Sequence, residues 1–244
     1  MIYGIFGDIH SNFSALSSVL AEMENSGVGG YVCTGDVVGY ASEPAECIDA
    51  LRASNCQVVA GNHDYGVVGK IDIGNFNSDA YDAVLWTMDF LSVEDKEFLS
   101  SLPLVLKNDD FTLVHGTLHN PDLFNYMVTY PEALKTFKIL DTDVCFLGHT
   151  HMPAAILYKG GDIFLADLKE EESIDLAAWE KVIINTGSVG QPRDNNIDAS
   201  YVIYDSGKSL VTFKRTNYNI NDTVEKIYAA GLPRRNGERL FYAG

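Results

Sequence analysis

The 244-residue sequence contains six histidines, and five of them lie in short polar clusters, two of which also contain aspartate or asparagine. Imidazole, carboxylate and amide oxygen together form a ligand set for divalent transition metals, which differs from the oxygen-only sets that calcium prefers. A pair of such ions suits in-line displacement at phosphorus. The clusters are Asp8-Ile9-His10, Gly35-Asp36, Gly61-Asn62-His63-Asp64, His115-Gly116 and Gly148-His149-Thr150-His151.

Each of these clusters directly follows an apolar run of the kind that forms strands, such as residues 2–6 and 144–147. In open α/β sheets the carboxyl ends of neighbouring strands face one crevice, where ligands bind. Residues i and i+2 on extended backbone project to the same side, so each D-x-H or H-x-H pair is expected to point one way. One histidine after a strand is more often structural, but five such clusters indicate a site for two metal ions that share a carboxylate.

Strand and helix patterns alternate through the first half of the chain and position these clusters. The second half is predicted to consist of strands joined by tight turns, followed by a last helix over about 222–230. Neither a repeat nor a linker interrupts the pattern. We therefore predict one domain over residues 1–244, in which a βαβα first half feeds a sheet that an antiparallel second half completes. The first-half strands are predicted at 2–6, 31–33, 57–60, 104–106, 111–114 and 144–147.

The net charge of the chain argues against two classes of binding partner. A formal net charge of −17 argues against a duplex nucleic acid, because such a binder needs Lys and Arg to neutralise phosphates. It also argues against docking on an anionic membrane surface. Aromatic residues make up 11% of the chain, which is not the composition of a disordered acidic tail. The acidic run at 170–172 is expected to be a solvated loop.

The four cysteines and the apolar stretches favour a cytoplasmic protein. No signal-peptide pattern opens the sequence, and no apolar stretch approaches the roughly 18–20 residues of a membrane-spanning helix. The cysteines form neither a C-x-x-C pair nor a metal-finger spacing, so we expect reduced thiols. These residues are Cys33, Cys47, Cys56 and Cys145.

At its five polar clusters the sequence resembles the calcineurin-like metallophosphoesterases. Their pattern is D-x-H, G-D, G-N-H-[DE], an isolated His and G-H-x-H, and all five parts occur here in family order over residues 8–151. The segment 185–194 is similar to that of small bacterial and archaeal phosphodiesterase-like members. The resemblance implies an α/β fold, a four-layer α/β/β/α sandwich with two mixed β-sheets flanked by helices.

The resemblance also implies two divalent transition-metal ions. Manganese is the expected metal, and iron, nickel and zinc are compatible with the same ligands. By motif position one ion would be held by Asp8, His10, Asp36 and His151, and the other by Asp36, Asn62, His115 and His149, with Asp36 bridging. His63 would be a catalytic residue that contacts the phosphoryl group and acts as a general acid, as suits an imidazole that titrates near neutrality. Asp64 would orient His63.

One departure from the family pattern reduces the range of phosphoesters expected as substrates. Protein phosphatases of the superfamily and symmetric dinucleoside tetraphosphatases continue the second motif as G-D-x-x-[DN]-R-G, whereas Gly39 and Tyr40 stand at those two positions here. Without the bidentate arginine, the usual grip on a phosphomonoester dianion is lost. We therefore expect a phosphodiesterase that hydrolyses small phosphodiester or nucleotide-type substrates by metal-activated water. The alternatives are a non-catalytic metal-binding interaction scaffold of the same fold, or a phosphomonoesterase or protein phosphatase.

Two further residues are candidates for substrate binding. Asn12 could contact substrate, but it is equally suited to cap the following helix. Arg193 could reach a substrate phosphate, although a loop residue paired with Asp194 is the more ordinary interpretation. Three aromatic residues between site motifs could stack a base or pack in the core, namely Phe124, Tyr126 and Tyr130.

Overall fold

The computed structural model describes residues 1–168 and 173–244, so the acidic run at 170–172 lies outside the described residues. The strands are β1 (Ile2–Phe6), β2 (Gly30–Cys33), β3 (Gln57–Val58), β4 (Val105–Lys107), β5 (Thr112–Val114), β6 (Val144–Leu147), β7 (Pro153–Lys159), β8 (Asp162–Leu165), β9 (Ser173–Asp175), β10 (Lys181–Thr186), β11 (Ala199–Asp205) and β12 (Leu210–Thr216). The α-helices are α1 (Phe13–Asn25), α2 (Pro44–Ala53), α3 (Asn62–Val67), α4 (Ser78–Phe90), α5 (Val93–Ser101), α6 (Tyr130–Ile139), α7 (Ile220–Ala229) and α8 (Arg234–Glu238).

Within the described residues these strands form two six-stranded mixed sheets. The first has the order β3-β2-β1-β11-β12-β9 and the second the order β4-β5-β6-β10-β7-β8. In the first sheet β1, β2 and β3 are parallel, while β11 is antiparallel to β1. In the second sheet β5, β6 and β10 are parallel, while β7 is antiparallel to β10. The α/β fold with two mixed sheets is confirmed, whereas the single sheet expected from the strand pattern is wrong.

Apolar side chains hold the layers together. Ile5 of β1, Phe146 of β6 and Ile184 of β10 pack with other buried residues between the two sheets. On the opposite face of the first sheet, Leu16 of α1 and Ile48 of α2 belong to a second buried cluster. The second sheet is covered on its outer face by α6, whose apolar side chains pack on β6 and β10. The chain is thus layered as helices, sheet, sheet and helix.

The C-terminal helices are attached to loops at the edge of the first sheet. Buried residues of α7 pack with Ala83 of α4. The side-chain amide of Asn236 donates a hydrogen bond to the carbonyl of Tyr40 at 3.2 Å. The hydroxyl of Thr223 donates to Oδ1 of Asn12 at 3.1 Å. The C-terminal segment therefore braces the two loops that follow β1 and β2.

The four cysteines are free thiols, and Cys33, Cys47 and Cys145 are buried. In residues 1–168 and 173–244, the helices are too short or too polar to cross a membrane.

Candidate metal centre and active site

The predicted site residues meet where strands of both sheets end. Asp8 and His10 follow β1, Asp36 follows β2, and Asn62 and His63 open α3 just after β3. From the second sheet, His115 follows β5, and His149 and His151 follow β6. All are buried except Asn62, which is half-buried. The expected convergence of the five clusters on one crevice is therefore what the structure shows.

Most of the candidate ligands lie in tight turns rather than on extended backbone. The φ angles are 49° at Asp8, 49° at His10, 53° at Asp36, 69° at His149 and 60° at His151. Left-handed backbone costs an L-residue about 1–2 kcal/mol, so such residues persist only where the surrounding structure fixes them. The pairs do converge, but the reason expected from the sequence, alternation along a strand, is wrong.

A first group of four buried side chains offers ligand atoms within 4.8 Å of one another, namely Asp8, His10, Asp36 and His151. Nδ1 of His10 lies 3.1 Å from the Val38 carbonyl, and Nδ1 of His151 lies 2.6 Å from the Gln191 carbonyl. A carbonyl accepts, so both Nδ1 atoms carry the proton and both Nε2 atoms present lone pairs. The two Nε2 atoms face each other at 3.0 Å. Two lone pairs at that distance repel unless a cation lies beside them.

A second group repeats this arrangement with Asp36, His115 and His149. Nδ1 of His115 bonds the carbonyl of Thr34 at 2.8 Å, and its Nε2 faces Nδ1 of His149 at 3.0 Å. Metal-binding histidines are commonly fixed by such carbonyl contacts at the other ring nitrogen. Next to this group, Oδ1 of Asn62 is buried without a hydrogen-bond partner among the described residues. Both groups therefore fit a transition-metal ion.

Asp36 belongs to both groups. Its Oδ2 lies 3.6 Å from Nε2 of His10 and 3.4 Å from Nε2 of His115. Its Oδ1 accepts a hydrogen bond from the backbone N–H of His63 at 2.9 Å. A Cβ at Gly61 would lie 2.0 Å from this Oδ1, so only glycine leaves room for the carboxylate. Asp36 is thus held in the position of a bridging ligand.

Burial sets the ionisation of the site. It raises the pKa of Asp8 to about 7 and lowers the pKa of His149 to about 3. It also lowers the pKa of His10 well below the ordinary value. Burial opposes the charge of His115 as well, but Asp36 outweighs it and raises the pKa of His115 to about 9. The neutral imidazoles of His10 and His149 can therefore offer lone pairs to a bound cation.

His63 is oriented by packing rather than by a hydrogen bond. Its ring lies 4.8 Å from the ring of Tyr40 and 5.1 Å from the ring of Phe76, between centroids. Its Nδ1 is buried with no hydrogen-bond partner among the described residues. Gly39 has a φ of +98°, and a Cβ there would lie 2.3 Å from this Nδ1. The position that carries a carboxylate or amide in related phosphatases therefore does abut the imidazole, but it offers no polar group.

The Asp64 carboxylate faces backbone N–H groups instead of the His63 ring. The Asp64 carboxylate accepts hydrogen bonds from the backbone N–H groups of Val37 (2.9 Å), Val38 (3.2 Å) and Gly61 (2.8 Å). Asp64 therefore fixes the loop after Asp36, and the expectation that it orients His63 is wrong. Burial lowers the pKa of His63 to about 4, so the ring is neutral at pH 7 and does not titrate near neutrality.

Arg193 lies beside the first group of ligands. Its Nη2 donates to Oε1 of Gln191 at 3.0 Å and to the Tyr40 hydroxyl at 3.5 Å. Its Nε is buried and has no partner within the part of the chain that the structure describes. Asp194, the partner expected from the sequence, instead forms an ion pair with Arg215. The Arg193 guanidinium thus keeps an unpaired donor near the candidate metal centre.

Asn12 is the N-cap of α1. Its Oδ1 accepts from the N–H of Ala15 at 3.1 Å and from the hydroxyl of Thr223, and its amide donates to the Gly190 carbonyl at 3.0 Å. The side chain is fully buried. Of the two roles open from the sequence, the structure shows the helix cap, and a fully buried Asn12 side chain has no surface exposed to a substrate.

The three aromatic residues between the site motifs have different surroundings. The Tyr126 ring stacks on His149 with centroids 3.9 Å apart and an interplanar angle of 12°. Phe124 is buried, and its ring edge meets His115 at 6.0 Å. Tyr130 begins α6 and is exposed. Two of the three therefore border the site.

Sequence reasoning missed the support that comes from the segment after β10. The Ser188 hydroxyl donates to the Asp8 carbonyl at 2.8 Å, and the Gln191 carbonyl fixes His151. The signal was present in the sequence, because residues 185–194 form a sixth polar cluster behind an apolar strand.

The sequence matches the calcineurin-like phosphoesterase superfamily domain over residues 1–209. The chain belongs to this superfamily. The chain is 38% identical over 241 residues to an uncharacterised protein of Methanocaldococcus jannaschii, a match that covers 97% of this chain and 96% of the relative. The crystal structure of a metallophosphoesterase from Sphaerobacter thermophilus superimposes with a TM-score of 0.89 at 35% identity, covering 100% of this chain and 99% of that one.

A hypothetical protein of Pyrococcus horikoshii shares the fold of this chain at 19% identity. Its TM-score is 0.82, and the match covers 100% of this chain and 98% of that one. The chain therefore combines the fold of a metallophosphoesterase with a buried Asp/His cluster that fits a metal site.

Proposed function

We propose that this phosphoesterase is a dimetal-dependent phosphodiesterase that hydrolyses small phosphodiester or nucleotide-type substrates. The observation that carries the proposal is the pair of facing imidazole nitrogens in each ligand group, 3.0 Å apart, where carbonyls hold the other ring nitrogen of His10, His151 and His115. Buried lone pairs in this arrangement favour binding of a cation. Two such pairs on either side of one carboxylate support two cations.

The proposed ligand sets follow the two groups. The first ion would be held by Asp8, His10, Asp36 and His151, and the second by Asp36, Asn62, His115 and His149. Manganese is the proposed metal, and iron, nickel or zinc also suit imidazole and oxygen ligands. When bound, a pair of divalent ions supplies Lewis acidity at the phosphoryl oxygens and activates water for in-line attack.

Two side chains without carboxylate partners are proposed to act on the substrate. Neutral His63 would donate a hydrogen bond to a phosphoryl oxygen or to the leaving oxygen, since its ring lies between Tyr40 and Phe76 at the mouth of the site. Arg193 would donate to a non-bridging phosphoryl oxygen through the Nε that lacks a partner.

The preference for a diester rests on charge and on space. Gly39 and Tyr40 replace the carboxylate or amide and the arginine of the phosphatase motif, so Arg193 is the only guanidinium found beside the ligands in the described chain. One guanidinium matches the single charge of a diester. A cavity beside His63 also leaves room for an ester group.

The acidity of the chain supports a small substrate. A net charge of −17 disfavours long polyanions and anionic membranes, so neither a duplex nucleic acid nor a membrane is proposed as a partner. The free thiols support the separate proposal of a cytoplasmic location. Two dications would offset Asp8 and Asp36 locally, because a bound ion is the largest charge in such a site.

The proposal is tested with purified protein stripped of metal and reloaded with Mn²⁺. We expect hydrolysis of bis(4-nitrophenyl) phosphate to require the metal and to exceed hydrolysis of 4-nitrophenyl phosphate. Asp36→Ala should lose bound metal and activity together, whereas His63→Ala should keep the metal and lose turnover. Absence of turnover with any divalent metal would favour the scaffold, and preference for the monoester would favour a phosphomonoesterase.

A further inference from the structure

A cavity of about 670 Å³ opens directly onto the candidate metal centre. Asn62, His63 and His149 of the site form part of its lining. The remainder comes mainly from the connection between α3 and α4 and from the connection between β5 and α6. Because His63 lies in its wall, the cavity is placed to hold an ester group whose oxygen lies beside that ring.

The walls of this cavity are aromatic. Tyr40, Phe76, Phe124 and Tyr126 line it. Phe76 and Tyr126 pack against His63 and His149 respectively, which fixes their planes next to the site. The Tyr126 side chain is 49% exposed, so it retains free surface for a ligand. Flat rings of this kind bind planar groups by stacking.

The rim of the cavity carries negative charge and amides but no basic side chain. Asp72 and Asp122 contribute carboxylates, and neither Lys nor Arg is among the lining residues. A second phosphate would be repelled here. Asn75 and Asn77 add amide groups at the rim, and amides with carboxylates match the amino groups, ring nitrogens and hydroxyls of a nucleoside.

We propose that this cavity is a nucleoside subsite, in which the base stacks on Tyr126 and Phe76 while the sugar hydroxyls face the acidic rim. The assignment of the bound group as part of the substrate rests on the proposed phosphodiesterase function. Arg193 lies on the side of the first ligand group and is not part of the cavity lining. The phosphate and the nucleoside therefore contact chemically different surfaces.

Binding of adenosine to the metal-free protein, measured by calorimetry, tests the subsite without involving the metals or the phosphate. We expect adenosine to bind, and D-ribose, choline and pyrophosphate to bind at least tenfold more weakly. Tyr126→Ala should weaken adenosine binding roughly 5- to 150-fold, the range expected for loss of one base–aromatic stack. Tyr126→Phe keeps the ring and should retain the affinity. Tyr130→Ala removes an exposed tyrosine four residues away and serves as the matched control.

The inference is overturned if adenosine does not bind, if choline or pyrophosphate binds more tightly, or if Tyr126→Ala and Phe76→Ala both leave the affinity unchanged. Circular dichroism of each variant separates a lost contact from a lost fold. Mn²⁺ titration and diester hydrolysis on the same preparation report the proposed function separately. Intact metal-dependent hydrolysis without adenosine binding would reject the subsite alone, whereas adenosine binding without hydrolysis would reject the phosphodiesterase alone.

Discussion

Arg193→Ala tests whether the unpaired guanidinium beside the ligands binds the substrate. Its Nη2 is used by Gln191 and, more weakly, by Tyr40, whereas its buried Nε has no partner in residues 1–168 and 173–244. Nothing in that part of the chain pairs the charge with a carboxylate. A phosphoryl oxygen would accept a hydrogen bond from this Nε. Removal of the side chain should therefore raise the free energy of the transition state more than it lowers the stability of the fold.

The expected size of the effect follows from one hydrogen bond between charged groups. Such a bond contributes about 1.5–3 kcal/mol, which corresponds to a roughly 10- to 150-fold loss of kcat/KM. Arg193→Lys keeps the charge but loses the planar arrangement of donors, so it should recover only part of the loss. The metal content should stay at the wild-type value, because Arg193 offers no ligand atom.

The assay is steady-state hydrolysis of bis(4-nitrophenyl) phosphate at saturating Mn²⁺, with bound metal measured on the same samples. Arg215→Ala is the matched control, because Arg215 pairs with Asp194 and donates to the Asp198 carbonyl. Loss of the Arg215 side chain should lower the melting temperature and leave kcat/KM per folded molecule within about threefold of the wild-type value. If Arg193→Ala retained at least half of the wild-type kcat/KM, the substrate contact would be refuted.

Three further predictions concern the support of the site. Gly39→Ala places a Cβ 2.3 Å from Nδ1 of His63 at a φ of +98°, so it should displace the ring, lower kcat at least tenfold and keep the metals. The accompanying strain of about 1–3 kcal/mol should lower the melting temperature by roughly 2–12 °C. An unchanged kcat would contradict the placement of His63 beside Gly39. Asp64→Ala leaves three buried N–H groups without their acceptor and should destabilise the fold by roughly 2–5 kcal/mol in urea unfolding, with weaker Mn²⁺ binding by calorimetry. A loss below 1 kcal/mol would show that Asp64 does not hold the loop. Chelation of the metals should lower the melting temperature by roughly 10–20 °C if two sites are filled at 100 times their Kd, and equal temperatures with and without chelator would speak against a preformed metal centre.

The sequence was sufficient to predict which residues meet, but not how the backbone presents them. Apolar strands followed by polar clusters imply a common edge, and the structure has that edge. The turns at Asp8, His10 and His151 are left-handed, a conformation that stays uncommon even for aspartate and histidine, which adopt it more often than most residues. Their stability comes from distant groups such as the Ser188 hydroxyl and the Gln191 carbonyl.

The sequence also does not predict which segments remote along the chain pair with each other. β1 pairs with β11 across about two hundred residues in the first sheet, whereas β10 pairs with β6 in the second, so consecutive strands of the second half enter different sheets. Asp64 was misjudged because α3 begins at Asn62 and turns that carboxylate back onto the N–H of Gly61. The expected pairing of Arg193 with Asp194 is wrong because Asp194 is taken by Arg215, a residue of β12.

Anomalous diffraction from crystals of the Mn²⁺-loaded protein tests the central claim most directly, because it counts the ions and locates them. The account predicts two ions, one beside His10 and His151 and the other beside His115 and His149, with the Asp36 carboxylate contacting both. Full Mn²⁺ occupancy at only one of these positions, or two ions without a shared Asp36 ligand, would contradict it.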